Sequence, residues 1–214
     1  MPHATTRRSR GRSRILVHAA RAAIVAVLAI VCGAVAAYPK PAAIPYRWEL
    51  ELEPGALRLY VDPVTRDAYW YFTYLVTNRT GADQVWAPSL VLYTDAGEVL
   101  SSGQGVPSRV EAALRELLGN PLLETQNEII GDIYQGKGHA KDGLAVWPAE
   151  SRTVNEISLF IGGLSGETAR VRNPVSGDEV ILRKTLQRNY LVRGHALARG
   201  SKPIELVDQE WILR

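Results

Sequence analysis

The sequence predicts a mainly β protein, an antiparallel β-sandwich with an inserted α-helical hairpin. Apolar and polar residues alternate with a period of two through most of the chain after residue 46, which is typical of half-buried strands. Twelve short segments of this kind are separated by turns rich in Pro, Gly, Asn and Asp, as in a sandwich. Between residues 107 and 135 the period becomes that of a helix. We therefore expect one β-sandwich domain over residues 47–214 with a helical insertion at 107–135.

The first 37 residues predict export of the chain. Six arginines between Arg7 and Arg21 precede an apolar run from Ala22 to Ala37 that ends in small residues, which is the order of a signal peptide. Cleavage sites of the small-x-small type end at Ala36 and at Ala37. The alternative is an uncleaved signal anchor, because a helix of this length spans about 24 Å, just short of the roughly 30 Å hydrocarbon core.

Export changes the meaning of the composition. Six of the 25 Lys and Arg residues lie in the first 37 residues and none of the 22 Asp and Glu, so residues 38–214 carry a formal charge of −3 rather than +3. This balance argues against nucleic acid as a partner. Cys32, the single cysteine, also lies in the export segment, so the domain has neither a disulfide nor a thiolate nucleophile. We expect an extracytoplasmic protein, periplasmic or at the cell surface, that is secreted or tethered by one N-terminal membrane segment.

A proline-rich tether is predicted over residues 38–46. Pro39, Pro41 and Pro45 favour an extended polyproline II conformation. Such a segment would hold the domain clear of the membrane or of the cleavage site.

The strands are predicted in the order of their alternating segments. Before the insertion these are residues 47–53, 57–61, 68–78, 84–86, 90–94 and 99–101, and after it residues 144–147, 157–161, 168–172, 179–185, 190–192 and 204–213. The segment at 68–78 has apolar residues on both faces, with Trp70 and Phe72 on one and Tyr69 and Tyr71 on the other. We therefore place it at the centre of a sheet.

The sequence of the insertion predicts two helices. Ser108 and Glu111 have the spacing of a capping box before an apolar stripe that includes Leu114. Asn120 followed by Pro121 resembles a second helix start, ahead of Leu122, Leu123, Ile129, Ile130 and Ile133. We expect a helical hairpin.

Three segments carry a family resemblance. They read YFTYLVTNRTG at residues 71–81, YTDAGE at 93–98 and DGLAVWP at 142–148. Together they resemble the strand and turn signature of exported bacterial immunoglobulin-like domains of unknown function, over residues 48–164. The resemblance implies an immunoglobulin-like sandwich and carries no catalytic residue, and the helical insertion departs from it.

No motif predicts a cofactor, nucleotide or metal. Residues 131–138 approach a P-loop but place Gly138 where a magnesium-binding Ser or Thr belongs, and residues 163–167 approach a nucleophile elbow but end in Glu167. His139 and His195 are the only histidines after residue 37, fewer than the three ligands that zinc usually needs.

Two groups of acidic residues leave a glycosidase active site and a calcium-binding site open as alternatives. Glu124, Glu128 and Asp132 could act as paired carboxylates of a glycosidase, although such a spacing usually marks the solvated face of a helix. Four loop aspartates offer oxygen ligands for calcium, namely Asp62, Asp67, Asp95 and Asp178. Aspartate is also common in turns because its side chain hydrogen-bonds to the backbone there.

Aromatic residues give the main functional hypothesis. Tyr69, Tyr71 and Trp86, if exposed, would contact a glycan or protein. If covered, Tyr69 and Tyr71 would instead form the surface on which the inserted helices pack. The sequence thus favours a non-enzymatic interaction or structural module of the cell envelope, whose partner is an envelope protein or glycan. A carbohydrate-binding domain is the alternative, and a glycan-acting hydrolase comes third.

We expect the mature protein to begin at Ala37 or Tyr38, because signal peptidase cuts after a small-x-small motif. The intact mass of protein purified from its native envelope checks this. A mass that includes residues 1–36 would contradict cleavage and establish the anchor.

Overall fold

The structure, a computed structural model, describes residues 38–151 and 153–214. The predicted signal peptide or anchor, residues 1–37, lies outside these residues. Within them, no helix has the length and apolar character needed to cross a bilayer. The account below concerns the compact unit Lys40–Arg214.

This unit is mainly β, as predicted. Its strands are β1 (Glu51–Val61), β2 (Ala68–Thr77), β3 (Gln84–Trp86), β4 (Ser89–Thr94), β5 (Val99–Ser101), β6 (Leu123–Thr125), β7 (Gly131–Ile133), β8 (Lys141–Pro148), β9 (Glu156–Gly162), β10 (Thr168–Arg172), β11 (Glu179–Leu191) and β12 (Glu205–Leu213). Helix α1 (Ser108–Leu118) lies between β5 and β6, and single 3-10 turns occur at Lys137–His139 and Ala196–Arg199.

Two main sheets make up the fold. The first has the order β1-β2-β8-β6, in which β6 is the one strand that runs parallel to its neighbour. The second has the order β10-β11-β9-β4-β5, with β12 also paired to β11. Strands β3 and β7 form a separate antiparallel pair. The coarse prediction of an antiparallel sandwich is confirmed in this form.

The main core draws on both sheets. Trp70, Phe72 and Val76 of β2 share one buried cluster with Leu92 of β4 and Leu159 of β9. These positions follow the period of two in each strand, since the intervening residues face the other way. The alternation in the sequence therefore selects the buried face of each sheet.

At two places where the sequence predicts a break between two strands, the structure has one continuous strand. Pro54 and Gly55 do not end a strand but form a bulge within β1, where the pairing shifts between Pro54 and Leu57. At Gly55 a Cβ atom would lie 2.3 Å from the Thr73 hydroxyl oxygen, so only glycine permits this approach of β1 to β2. Likewise, the predicted strands at 179–185 and 190–192 are a single strand, β11.

The predicted helical hairpin is only half correct. Helix α1 ends as a helix should, at Gly119 with φ 61°, whose N–H donates to the carbonyl oxygens of Arg115 and Glu116. The second helix is wrong, because the chain forms β6 and β7 there. Pairing with β8 and β3 supplies the backbone hydrogen bonds that a helix would have made.

The predicted capping box is also absent. Pro107 occupies the N-cap position in an extended conformation, and no side chain caps the first turn. Ser108 is the first helical residue instead. Proline at this boundary fits because it has no N–H to leave unsatisfied.

Strand β11 organises the second sheet. Its residues 185–191 lie between β9 and β12, and its residues 179–182 pair only with β10 within the described chain. Arg183 pairs with β10 on one side and with Arg214 on the other. Residues 168–183 therefore form a two-stranded ribbon, which we call the β-arm. Val175 at its tip is 93% exposed. A ribbon of two strands gains little stability by itself, so its geometry depends on continuity with the second sheet.

A buried lysine joins the N-terminal segment to the second sheet. Lys184 is 2% exposed, and its Nζ lies 2.9 Å from a carboxylate oxygen of Glu49 and 3.2 Å from one of Glu167. The indole ring of Trp211 lies 4.9 Å from the same ammonium. Glu167 also accepts a hydrogen bond of 2.7 Å from the N–H of Ala42, so part of the predicted tether contacts the domain.

Two opposed effects set the pKa of Lys184. Burial lowers the pKa, while hydrogen bonds to Glu49 and Glu167, together with their charges, raise it by more, so the net shift is upward. A raised lysine pKa stabilises the fold at every pH below about 10.4, the unfolded value. This contribution is lost as the pH rises through the folded pKa.

We expect Lys184→Met to lower the free energy of unfolding by about 3–5 kcal/mol, because it leaves the buried carboxylate of Glu167 and the partly buried one of Glu49 without a cation. Urea denaturation at pH 7 measures this. Adding Glu167→Gln to Lys184→Met should restore part of the loss. As a control, Arg170→Met breaks the exposed pair with Glu179 and should change stability by about 0–1 kcal/mol. Equal losses in both single variants would contradict a special role for the buried lysine.

Candidate functional site

The aromatic residues predicted as contacts are buried. Tyr69 and Tyr71 are 5% and 3% exposed, and they pack with Val110 and Leu114 of α1. Trp86 is fully buried in the main core, where its ring meets that of Tyr74 edge-on at 6.4 Å. The three rings thus belong to two different clusters and form no open platform.

The docking alternative for Tyr69 and Tyr71 is confirmed for α1. The helix covers the outer face of the first sheet, and the burial of the tyrosine hydroxyl raises the pKa of Tyr71 above its ordinary value. The isoleucines of the predicted second helix do not pack on these tyrosines. Ile129 and Ile133 lie in the main core, and Ile130 is exposed.

The predicted carboxylate group is dispersed over separate elements. Glu124 lies on β6 and pairs with Lys141 at 3.6 Å, whereas Glu128 pairs with Arg115 and accepts from the N–H of Thr125. Asp132 lies on β7, opposite Val85. Because each lies on a different segment, the helical spacing that suggested a shared face does not exist.

Loop aspartates and histidines have local partners. Asp62 accepts a hydrogen bond of 2.8 Å from the N–H of Val64 and pairs with Arg109, and these two contacts lower its pKa. Asp95 accepts from the N–H of Asn155 at 3.0 Å. The ring of His139 packs against Tyr134. Among residues 38–151 and 153–214, no group of three His, Cys, Asp or Glu side chains is placed to hold a metal.

Among residues 38–151 and 153–214, neither buried cluster covers the outer face of the second sheet. Alternate residues of β4, β9 and β11 point away from the core and are half-buried rather than buried: Val91, Tyr93, Ser158, Phe160, Gln187 and Asn189. We call this surface the open face. Tyr93 and Phe160 meet on it edge-on, with ring centroids 5.2 Å apart.

A cavity of about 410 Å³ lies at one end of the open face. Its lining combines an aromatic ring, two hydroxyls, two glycines and two arginines: Ala87, Ser89, Val91, Phe160, Gly162, Gly163, Arg183, Thr185 and Arg214. The volume falls within the range of small-molecule sites. No carboxylate side chain is among these lining residues.

The two arginines are neighbours across the sheet. The N–H of Arg183 donates to the carbonyl oxygen of Arg214 at 2.7 Å, and the N–H of Arg214 donates back at 3.2 Å. The guanidinium of Arg214 lies 4.2 Å from the centroid of Phe160 and 5.4 Å from that of Tyr93. The open face therefore presents a cation stacked on aromatic rings.

A second, shallower depression of about 750 Å³ follows the N-terminal segment. Residues 45–51 and Thr80 line it. Its carboxylates are already engaged, since Glu49 pairs with Lys184 and Glu51 pairs with Arg79. The cavity of the open face is therefore the better candidate site.

Comparisons with known proteins yield no match, whether to protein-family models, to curated proteins or to solved structures. The resemblance to immunoglobulin-like domains stays a prediction. Sequence reasoning missed the candidate site, although Phe160 gave a signal: it is a large apolar residue on the outward phase of β9, between the buried Leu159 and Ile161.

We expect Leu114→Ala to lower the free energy of unfolding by about 2–5 kcal/mol, because it opens a cavity between α1 and the tyrosines. The pKa of Tyr71, read by spectrophotometric titration, should move toward about 10 as water reaches its hydroxyl. Leu117→Ala is the matched control, since Leu117 lies on the same helix but is 60% exposed. It should change stability by less than about 0.5 kcal/mol. Similar losses in both variants would show that α1 does not dock through Leu114.

Proposed function

We propose that this protein is an exported, non-enzymatic, immunoglobulin-like β-sandwich that acts as an interaction or structural module of the cell envelope. It works outside the cytoplasm, in the periplasm or at the cell surface. The single observation that carries the binding role is the open face, where Tyr93, Phe160 and Arg214 stack beside a cavity. Aromatic and arginine side chains are the residue types enriched where proteins bind partners.

Export is supported by the sequence of residues 1–37, in which an arginine-rich stretch precedes an apolar run that ends in alanines. The absence of a disulfide suits a domain of this size because its two-sheet core is large enough to stabilise it.

A non-enzymatic role is supported by the partners of the candidate acids. Glu124 and Glu128 are engaged with cations on separate elements, and Asp62 serves a turn. Ser165 donates no proton to a base in the described part of the chain; its hydroxyl oxygen accepts from the N–H of Glu167. Carbohydrate binding through Tyr69, Tyr71 and Trp86 has little support because these rings are covered.

We expect a photo-crosslinking residue placed at Gln187, on the open face, to form specific adducts in the native envelope, because this surface would contact the partner. The same residue at Glu116, on the exposed side of α1, is the control and should form none. Mass spectrometry of the adducts identifies the partner. Equal labelling from both positions, or no adduct from Gln187, would contradict an interaction role for the open face.

A further inference from the structure

The pairing of β11 with the end of β12 places two positive charges side by side. Arg183 and Arg214 exchange both backbone hydrogen bonds, so they form a hydrogen-bonded antiparallel pair. Residues in such a pair lie about 5.5 Å apart at Cα and project to the same face of the sheet. Like charges at directly opposed positions repel each other and destabilise the pairing.

No side-chain carboxylate in the described ranges pairs with either arginine. The ion pairs of residues 38–151 and 153–214 include neither arginine. Glu210, which faces Gln187 on the same face, lies four residues before Arg214, or about 13 Å along the strand. The rings of Phe160 and Tyr93 compensate the charge of Arg214 in part, but no ring contact is recorded for Arg183 in these ranges.

We propose that the cavity of the open face binds an anionic ligand whose carboxylate or phosphate group lies between Arg183 and Arg214. The planar guanidinium offers paired N–H donors that match the oxygen spacing of these groups. The hydroxyls of Ser89 and Thr185, which line the same cavity, add neutral hydrogen-bonding groups for the rest of the ligand. This inference rests on the proposed binding function and specifies the chemical class of its ligand.

Gly162, which lines the cavity, leaves space in it. Gly162 lies in register between Ser89 of β4 and Thr185 of β11. A Cβ atom there would be 3.6 Å from that of Ser89 and 3.8 Å from the hydroxyl oxygen of Thr185, both ordinary contacts. The fold therefore tolerates a side chain at this position, and its absence leaves space for a ligand.

The neighbouring glycine differs. Gly163 has φ +90°, and a Cβ atom on it would lie 2.8 Å from the carbonyl oxygen of Ala87. The positive φ and the close contact with Ala87 therefore require glycine at position 163. Gly162 is therefore the position at which the cavity can be filled without disturbing the chain.

Thermal unfolding tests the proposal with inorganic phosphate and with citrate, each compared with sodium chloride at equal ionic strength. At ten times its Kd, either anion should raise the Tm of the wild-type domain by about 3–6 °C, since it binds the folded state alone. The amide of Gly162 should shift in the same titration followed by NMR. Equal responses to chloride and to both anions would overturn the proposal.

Two variants and one control locate the effect. Arg183→Gln removes one cation and Gly162→Leu fills the cavity, so either should abolish the anion-dependent rise in Tm. Arg172→Gln removes an exposed arginine from the β-arm and should preserve it. In chloride alone, Arg183→Gln should unfold at the same temperature as the wild type or higher, because the repulsion is gone. Loss of the anion effect in Arg172→Gln to the same extent would overturn the site and leave only nonspecific charge binding.

A further comparison separates a free anion from one carried by a polymer. Galacturonate and polygalacturonate oligomers present the same carboxylate, so tighter binding of the oligomer by tenfold or more would assign the site to an anionic glycan, and equal affinity would assign it to a small molecule. The proposal and the broader function fail separately: adducts at Gln187 without any anion response would overturn the anion site while the interaction role stands.

Discussion

The whole fold depends on covering both faces of β2. Its inward side chains, among them Trp70 and Phe72, need a second sheet, and its outward tyrosines, Tyr69 and Tyr71, need another layer. Burying such rings removes large apolar areas from water, at about 25 cal/mol per Å². The second sheet and α1 meet these two demands from opposite sides. Every other element is placed by its relation to this central strand or to the sheet that covers it.

The domain treats its cations in two contrasting ways. Lys184 is buried and surrounded by Glu49, Glu167 and the ring of Trp211, so its charge contributes to stability. Arg183, which precedes Lys184, and Arg214, three residues after Trp211, form no ion pair with a side chain in the described residues and line a cavity instead, where Arg214 lies against the rings of Phe160 and Tyr93. The same sheet thus uses one cation as a structural link and holds two others at its surface without a side-chain ion pair among the described residues.

The sequence predicted the strands well because the period of two directly reflects which face is buried. It failed at residues 120–133, where Leu123, Ile129 and Ile133 satisfy a helical spacing by chance, while the pairing of β6 with β8 and of β7 with β3 determines the structure. Long-range pairing of that kind leaves no local trace. The candidate site was missed for the same reason, since Arg183 and Arg214 become neighbours only through the register of β11 and β12. The burial of Tyr69 and Tyr71 was anticipated as one of two alternatives.

The distribution of contacts along the chain has a consequence for the order of folding. The N–H of Ala42 bonds to a carboxylate 125 residues later, and the N–H of Ile204 bonds to the carbonyl oxygen of Leu57. The first strand can pair with β2 early, but these contacts with residues 167 and 204 form only after almost the whole domain has been synthesised. Contacts of such long sequence separation slow folding, so the nascent chain stays extended for longer than a chain built from local contacts. A chain that completes its folding late can pass through a narrow channel in an extended conformation while it is being synthesised.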